Sequence, residues 1–288
     1  MGIELIKSPL RYPGGKSRAI KQILPLIPQF KEYREPFLGG GSLYISLKQK
    51  EPSKSYWVND LNYDLFLFWK YAQQKNLDLV DAIIKKKAQY SNGKELFNEY
   101  KGNWDAYSDF DRAVRFFILN RITFSGTIDS GGYSQESYDK RFTDSSIQRV
   151  RNLQDVLGDT TITNCDYERI VNEPGNDVFI FLDPPYFSLS KSKLYGKKGD
   201  LHANFDHQKF ANDMKKCGHK WLITYDECDE INEMFNFAKY KKSWTLQYGM
   251  NNFGQLTAGK GNELFISNYP LEELSIKQFE LDLDESHI

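Results

Sequence analysis

Hydrophobic residues along the chain alternate between helical and strand-like spacing at both ends, while the middle follows a different pattern. Residues 17–24 place Ile20, Ile23 and Leu24 on one helical face, and Pro25 and Pro28 close the run. Next come Glu35-Pro36-Phe37-Leu38-Gly39-Gly40-Gly41-Ser42 and a predicted helix from Leu43. Tyr56-Trp57-Val58 predicts a short strand that ends in Asn59-Asp60-Leu61-Asn62. A strand, a glycine turn, a helix and a second strand capped by an acid is how nucleoside-binding α/β sheets begin. Residues 177–182, Asp-Val-Phe-Ile-Phe-Leu, are an apolar run of strand length, as for a strand covered on both faces. Trp221 to Tyr225 and Glu263 to Tyr269 predict further strands.

Between these ends, residues 77–87 and 94–100 read as polar helices. An amphipathic helix over 111–122 follows, with Val114, Phe117, Ile118 and Ile122 on one face. Residues 125–139 are rich in Gly, Ser and Asp and predict a loop, and a helix is expected near 145–157. The expected fold class is α/β. Residues 1–65 and 159–270 form the sheet domain, 66–158 a mostly helical insert, and 271–288 an acidic tail.

Composition narrows the class. With 288 residues, 40% hydrophobic and 27% charged, the chain suits a globular fold rather than a disordered one. Its 18 Tyr, 20 Phe and 5 Trp belong mainly to the core, with a minority on loops able to stack on bases. No run of about 18 apolar residues exists to span a membrane, and Met1-Gly2-Ile3-Glu4 does not begin a secretory signal. Cys165, Cys217 and Cys228 lack metal-ligand spacing, so no metal centre is expected, and their sparse, odd number suits a reducing cytoplasm. A net charge of −1 argues against coating nucleic acid by bulk charge. The acidic stretch from Glu280 to Glu285 nonetheless masks basic residues elsewhere.

The candidate chemistry sits at Asp183-Pro184-Pro185-Tyr186, directly after the apolar strand and on the sheet edge where ligands bind. Two prolines fix φ and remove two backbone donors, leaving neighbouring carbonyls to accept from something else. A carboxylate and free carbonyls suit an amino group with two hydrogens to give, and Tyr186 adds a flat face. The same four residues also make a rigid turn. In Phe37 to Ser42, Phe37, Gly39 and Gly41 belong to a turn that lets a ligand approach the backbone, or that serves packing alone. Asp60 is placed to hold ribose hydroxyls, or to cap the next helix. Arg11-Tyr12-Pro13-Gly14-Gly15-Lys16 is a glycine turn followed by a cation, without the spacing of a triphosphate loop.

In identity and order these four segments resemble the Dam-type family of DNA adenine-N6 methyltransferases. Leu201 to Phe205 and Glu263 to Tyr269 also look like family segments, so the resemblance covers most of residues 8–269. It implies a Rossmann-like, S-adenosylmethionine-dependent methyltransferase sheet with an inserted target-recognition domain. It implies S-adenosylmethionine contacts at Tyr12 and Lys16, ribose binding at Asp60, and a shared role at cofactor and target amine for Asp183. Tyr12 stands where many members carry tryptophan, which keeps a stacking face. The Asn-Gly recognition hairpin of the GATC-methylating members is absent in matching form, so GATC specificity is not predicted.

On this reading the partner is double-stranded DNA. The target base leaves the duplex before reaction, at a cost of a few kcal/mol, offset by stacking on Tyr186 and hydrogen bonds at Asp183. Arg112, Arg115, Arg121, Lys140, Arg141, Arg149 and Arg151 make the insert basic. Residues 123–142 form the candidate groove-entering loop or hairpin, with Arg121, Thr123, Ser125, Lys140 and Arg141 as candidate DNA contacts. Residues 191–198 read as a loop that orders over the base or as ordinary surface, and His202 and Phe205 as packing behind the site. Three rivals stand beside this reading: a cytosine-N4 methyltransferase, which more often carries serine at the first tetrapeptide position; a protein-glutamine methyltransferase, which typically carries asparagine there; and an inert DNA-binding module on the same fold. A monomeric, cytoplasmic enzyme is expected, with a cognate restriction endonuclease as one candidate partner.

Overall fold

The computed structural model describes residues 5–12, 14–102, 106–126, 128, 131–187, 205–247 and 260–271. Seven strands form one sheet: β1 Glu32–Glu35, β2 Ser55–Asn59, β3 Thr161–Thr163, β4 Val178–Leu182, β5 Lys220–Asp226, β6 Tyr240–Gln247 and β7 Lys260–Ser267. Their order is β3-β2-β1-β4-β5-β7-β6. The first five run parallel, whereas β7 pairs antiparallel with both β5 and β6. The order reverses between β1 and β4, so their carboxyl ends open a crevice of the kind that binds ligands in α/β sheets.

Period-two alternation divides the core. Tyr33, Phe179, Phe181, Leu222 and Phe265 face one side. Ile180, Leu182, Trp221, Ile223, Tyr225 and Ile266 face the other. Every residue of β4 is buried, as its apolar run predicted.

The helices are α1 Ile20–Ile23, α2 Ser42–Lys50, α3 Tyr63–Gln74, α4 Asn76–Gln89, α5 Gly93–Tyr100, α6 Asp109–Ile122, α7 Gln135–Arg141, α8 Asp144–Asn152, α9 Gln154–Leu157, α10 Tyr167–Asn172, α11 His207–Lys216 and α12 Asp229–Met234. None is long and apolar enough to cross a membrane. The first apolar core runs unbroken from the sheet into α3, α4 and α6, where Phe68 stacks on Phe117 at 5.8 Å.

Three expectations change. The helix read over 17–24 is two 3-10 turns, Lys16–Arg18 and Leu24–Leu26, flanking the short α1, because Pro25 fits the opening of the second turn. The loop read over 125–139 contains the start of α7, capped by Ser134, whose hydroxyl accepts from the Ser137 amide. The last strand begins at Lys260 and ends at Ser267, so Asn268 and Tyr269 lie beyond it.

Candidate active site

Three strand ends build the crevice. β1 leads through Glu35 and Pro36 into the glycine turn, where Gly39 and Gly41 adopt φ of +49° and +63°. Side chains larger than hydrogen do not fit there. A Cβ on Gly39 would lie 3.0 Å from the Tyr12 ring, and one on Gly41 would lie 2.9 Å from Trp69. Trp69 Nε1 also donates to the Gly39 carbonyl at 3.1 Å. The turn is therefore clasped between Tyr12 above and α3 below, and Trp69 had no signal in the sequence beyond its apolar helix face.

Asp60, one residue past β2, closes this turn. Its Oδ2 accepts the Gly39 amide at 2.9 Å and its Oδ1 the Asn62 amide at 2.9 Å. Burial pushes its carboxyl up to about 6, against the pull of those two amides. Asn59 joins the strand ends from beneath. Its Nδ2 donates to the carbonyls of Pro36 and Cys165, and its Oδ1 accepts the Cys165 amide. Glu35 is buried nearby and pushed up to about 8. Burial is the largest cause; the Tyr33 hydroxyl, 2.7 Å away, opposes it, and the charges of Asp183 and Asp60 add to it.

Asp183 and Tyr186 follow β4. Lys16 Nζ lies 2.7 Å from Asp183 Oδ1 and 2.9 Å from Oδ2. It donates to the Tyr186 hydroxyl at 2.8 Å and to the Gly14 carbonyl at 3.0 Å. Thus Lys16, Asp183 and Tyr186, separated by up to 170 residues, form one cluster. Thr224 on β5 donates to Asp183 Oδ1 at 2.8 Å, the Phe187 amide donates to Asp226 Oδ1 at 2.9 Å, and the Tyr225 ring lies 6.3 Å from that of Tyr186. None of these three β5 residues stood out in the sequence. Phe37 joins an aromatic wall with Tyr167, Phe205 and Phe210. Phe205 does pack behind the site, edge-on to His207; His202 and residues 191–198 lie outside the described residues.

The sheet order, the glycine turn and the acid-lysine-tyrosine cluster agree with one family. A family model described as D12 class N6 adenine-specific DNA methyltransferase matches residues 12–248. The chain belongs to that family. It is an adenine-specific DNA methyltransferase, which sets aside the cytosine-N4 and protein-glutamine readings. Among its relatives is the Type II methyltransferase M.MjaIII of Methanocaldococcus jannaschii, 26% identical over 81% of this chain and 90% of that protein. The DNA adenine methylase of Vibrio cholerae is 24% identical over 80% of this chain and 85% of its own length. The DNA N-6-adenine-methyltransferase of Escherichia phage P1 is 26% identical over 83% of this chain, a match that spans only 32% of the phage protein.

The methyltransferase's remaining sequence-predicted residues lie around the end of α6, away from Asp183 in the chain. Thr123 and Tyr133 form an antiparallel bridge, which sets the end of α6 beside the segment that leads into α7. Ser125 sits at φ +56° in its turn. Arg121 is buried and spends donors on the carbonyls of Arg141 and Pro9. Lys140 is exposed and pairs with Glu136, and Arg141 and Arg149 are exposed. Arg112 lies against the buried Asp64 at 2.6 Å, and Arg115 donates to the Tyr100 carbonyl. Asn120 and Arg11 exchange hydrogen bonds: the Arg11 amide reaches Asn120 Oδ1 at 2.9 Å and Asn120 Nδ2 reaches the Arg11 carbonyl at 2.6 Å. The segment that carries Tyr12 and Lys16 is thereby fastened to α6.

Proposed function

We propose that the protein transfers a methyl group from S-adenosylmethionine to the exocyclic amine of an adenine flipped out of double-stranded DNA, with Asp183 and Tyr186 receiving the base. The observation that carries this reading is the cluster of Lys16, Asp183 and Tyr186 beside the glycine turn closed by Asp60.

The donor set suits the cofactor. The turn at Gly39 and Gly41 brings the Tyr12 ring close to the backbone, and Asp60 retains lone pairs for two hydroxyls. Asp60 and Asp183 supply acidic charge against one lysine, which favours a ligand that is itself cationic. S-adenosylmethionine, when bound, supplies a methyl group activated by its sulfonium. Phe37, Tyr12, Lys16 and Asp60 would hold it, with Asp183 at the boundary between cofactor and base.

The chain's own residues then do the rest. Asp183 and the carbonyls of Pro184 and Pro185 accept the two hydrogens of the adenine amine, which localises its lone pair and orients it. The Tyr186 face stacks on the extruded ring and offsets its loss of stacking. Lys16 balances the Asp183 charge until the base arrives, and Asp183 can take the proton that the methylated amine releases.

Residues 66–158 serve as the target-recognition insert, with the segment beyond α6 entering a groove. Arg121 and Thr123 shape this region from inside, Thr123 being fully buried with its hydroxyl donating to the Leu119 carbonyl, while Arg141, Lys140 and Ser125 face the DNA. Pairing with a restriction endonuclease of the same specificity is the natural setting, given that M.MjaIII is named a Type II methyltransferase. The deciding experiment is incubation of unmodified genomic DNA with the purified protein and S-adenosylmethionine, followed by single-molecule sequencing of modified bases. N6-methyladenine at one recurrent sequence supports the reading; unmodified DNA sinks it.

A further inference from the structure

The tetrapeptide cannot anchor itself. Pro184 and Pro185 have no amide hydrogens, and the carboxylate of an aspartate turns through a broad torsional well unless something outside fixes it. Lys16 alone does not set its plane, because the ammonium lies against both oxygens and also serves Tyr186 and Gly14. The rigid neighbour is β5, buried between β4 and β7.

We propose that the carboxyl end of β5 is a template for the tetrapeptide, with Thr224 and Asp226 as positioning residues for methyl transfer. The inference rests on Asp183 being the residue that receives the target amine. Period-two alternation puts Thr224 and Asp226 on one face of the strand and Tyr225 on the other. The Thr224 hydroxyl holds Asp183 Oδ1 at 2.8 Å and so sets the plane of the carboxylate. Thr224 is fully buried and β-branched, which leaves it few rotamers and makes it a fixed reference. Asp226 Oδ1 takes the Phe187 amide at 2.9 Å and fixes the chain where it leaves Tyr186. Tyr225 packs against Tyr186 from the other side, and its hydroxyl is held by His207 Nδ1 at 2.6 Å. Both ends of the tetrapeptide are thus set from one strand, while Lys16 remains free to exchange its contacts for those of the substrate.

The test uses the full chain, tritiated S-adenosylmethionine and unmodified plasmid DNA. Thr224→Val removes the hydroxyl at constant shape, Thr224→Ser restores it, and Asp226→Ala removes the Phe187 anchor. Thr224→Val and Asp226→Ala should lower kcat about 10- to 100-fold, the scale of a misplacement near 1 Å, with KM for S-adenosylmethionine within about twofold. Thr224→Ser should recover kcat to within about threefold of the unmodified protein. The proposal is overturned if Thr224→Val keeps its kcat, if Thr224→Ser falls as far as Thr224→Val, or if cofactor binding is lost in step with rate. A failure of the underlying reading looks different: the unmodified protein itself transfers no methyl group.

Discussion

Lys16 and Asp183 hold each other at 2.7 Å, with the lysine almost wholly buried and the aspartate about one-fifth exposed. Such a pair is worth less in itself than the damage done by breaking it, because a buried charge without its partner costs about 3–5 kcal/mol. Asp183→Asn should therefore destabilise the protein, since the Lys16 ammonium would keep only neutral partners, the Gly14 carbonyl and the Tyr186 hydroxyl among them. Adding Lys16→Met should restore part of that loss. Urea unfolding of the two single variants and the double variant measures the coupling, and strict additivity would contradict it. Both single variants should lose at least about 100-fold in methyl transfer.

Asp60 titrates near 6, so cofactor affinity should depend on acidity just below neutral pH. Its carboxylate form accepts hydroxyls and attracts a cationic ligand; protonation removes both. As pH falls from 8 to 5, the dissociation constant for S-adenosylmethionine should rise, approaching about tenfold per unit below the carboxyl's midpoint. Isothermal titration across that range measures it. Asp60→Asn should bind more weakly at pH 8 and show a flatter dependence.

Glu35 has the opposite consequence for stability. Its carboxyl moves from its ordinary 4.5 to about 8 in the folded chain, chiefly through burial. The folded protein thus keeps a proton that the unfolded chain has released, and the contribution present at low pH is lost as pH rises toward 8. Glu35→Gln keeps an acceptor for the Tyr33 hydroxyl and removes the titration. The Tm difference between this variant and the unmodified protein should move in the variant's favour by more than about 3 °C between pH 5 and pH 8. A difference that stays constant over that range would show that Glu35 is not protonated in the fold.

What the sequence disclosed was local, and what it hid was long-range. The glycine turn and tetrapeptide were legible because each states its own backbone requirement: positive φ at Gly39 and Gly41, and missing donors at Pro184 and Pro185. Thr224 was not, because its bond to Asp183 spans 41 residues. Nor was Asn59, which gathers backbone groups from two other segments. β6 escaped because Lys241, Lys242 and Ser243 lie on the outermost strand, where no second neighbour demands an apolar pattern. α7 escaped because its length, Gln-Glu-Ser-Tyr-Asp-Lys-Arg, has no apolar period and is held by its cap and by Tyr138 packing over Gly93. In the same way the insert's arginines looked alike in the sequence, whereas the fold sorts them into internal and outward-facing sets.

That sorting leads to different outcomes for Arg112 and Arg141. Arg112 belongs to α6 and is committed to Asp64 on α3, a pair that ties α6 to the helix following Asp60. Arg141 and Arg149 are exposed and, with Arg11, crowd positive charge around the buried Arg121, whose guanidinium is pushed down to about 9 by burial first and these three arginines second. Charge gathered on one face is the footprint expected of phosphate contacts. Arg141→Ala and Arg149→Ala should therefore each reduce the slope of log K against log salt for DNA binding by about 1, with Tm little changed. Arg112→Ala should leave the slope alone and instead cost about 1.5–3 kcal/mol of stability, because Asp64 loses its closest cation and keeps Arg115 at 3.7 Å. Fluorescence anisotropy on a DNA duplex between 50 and about 200 mM salt, alongside thermal melts, separates the two classes. Equal slopes for all three variants would place the phosphate contacts elsewhere.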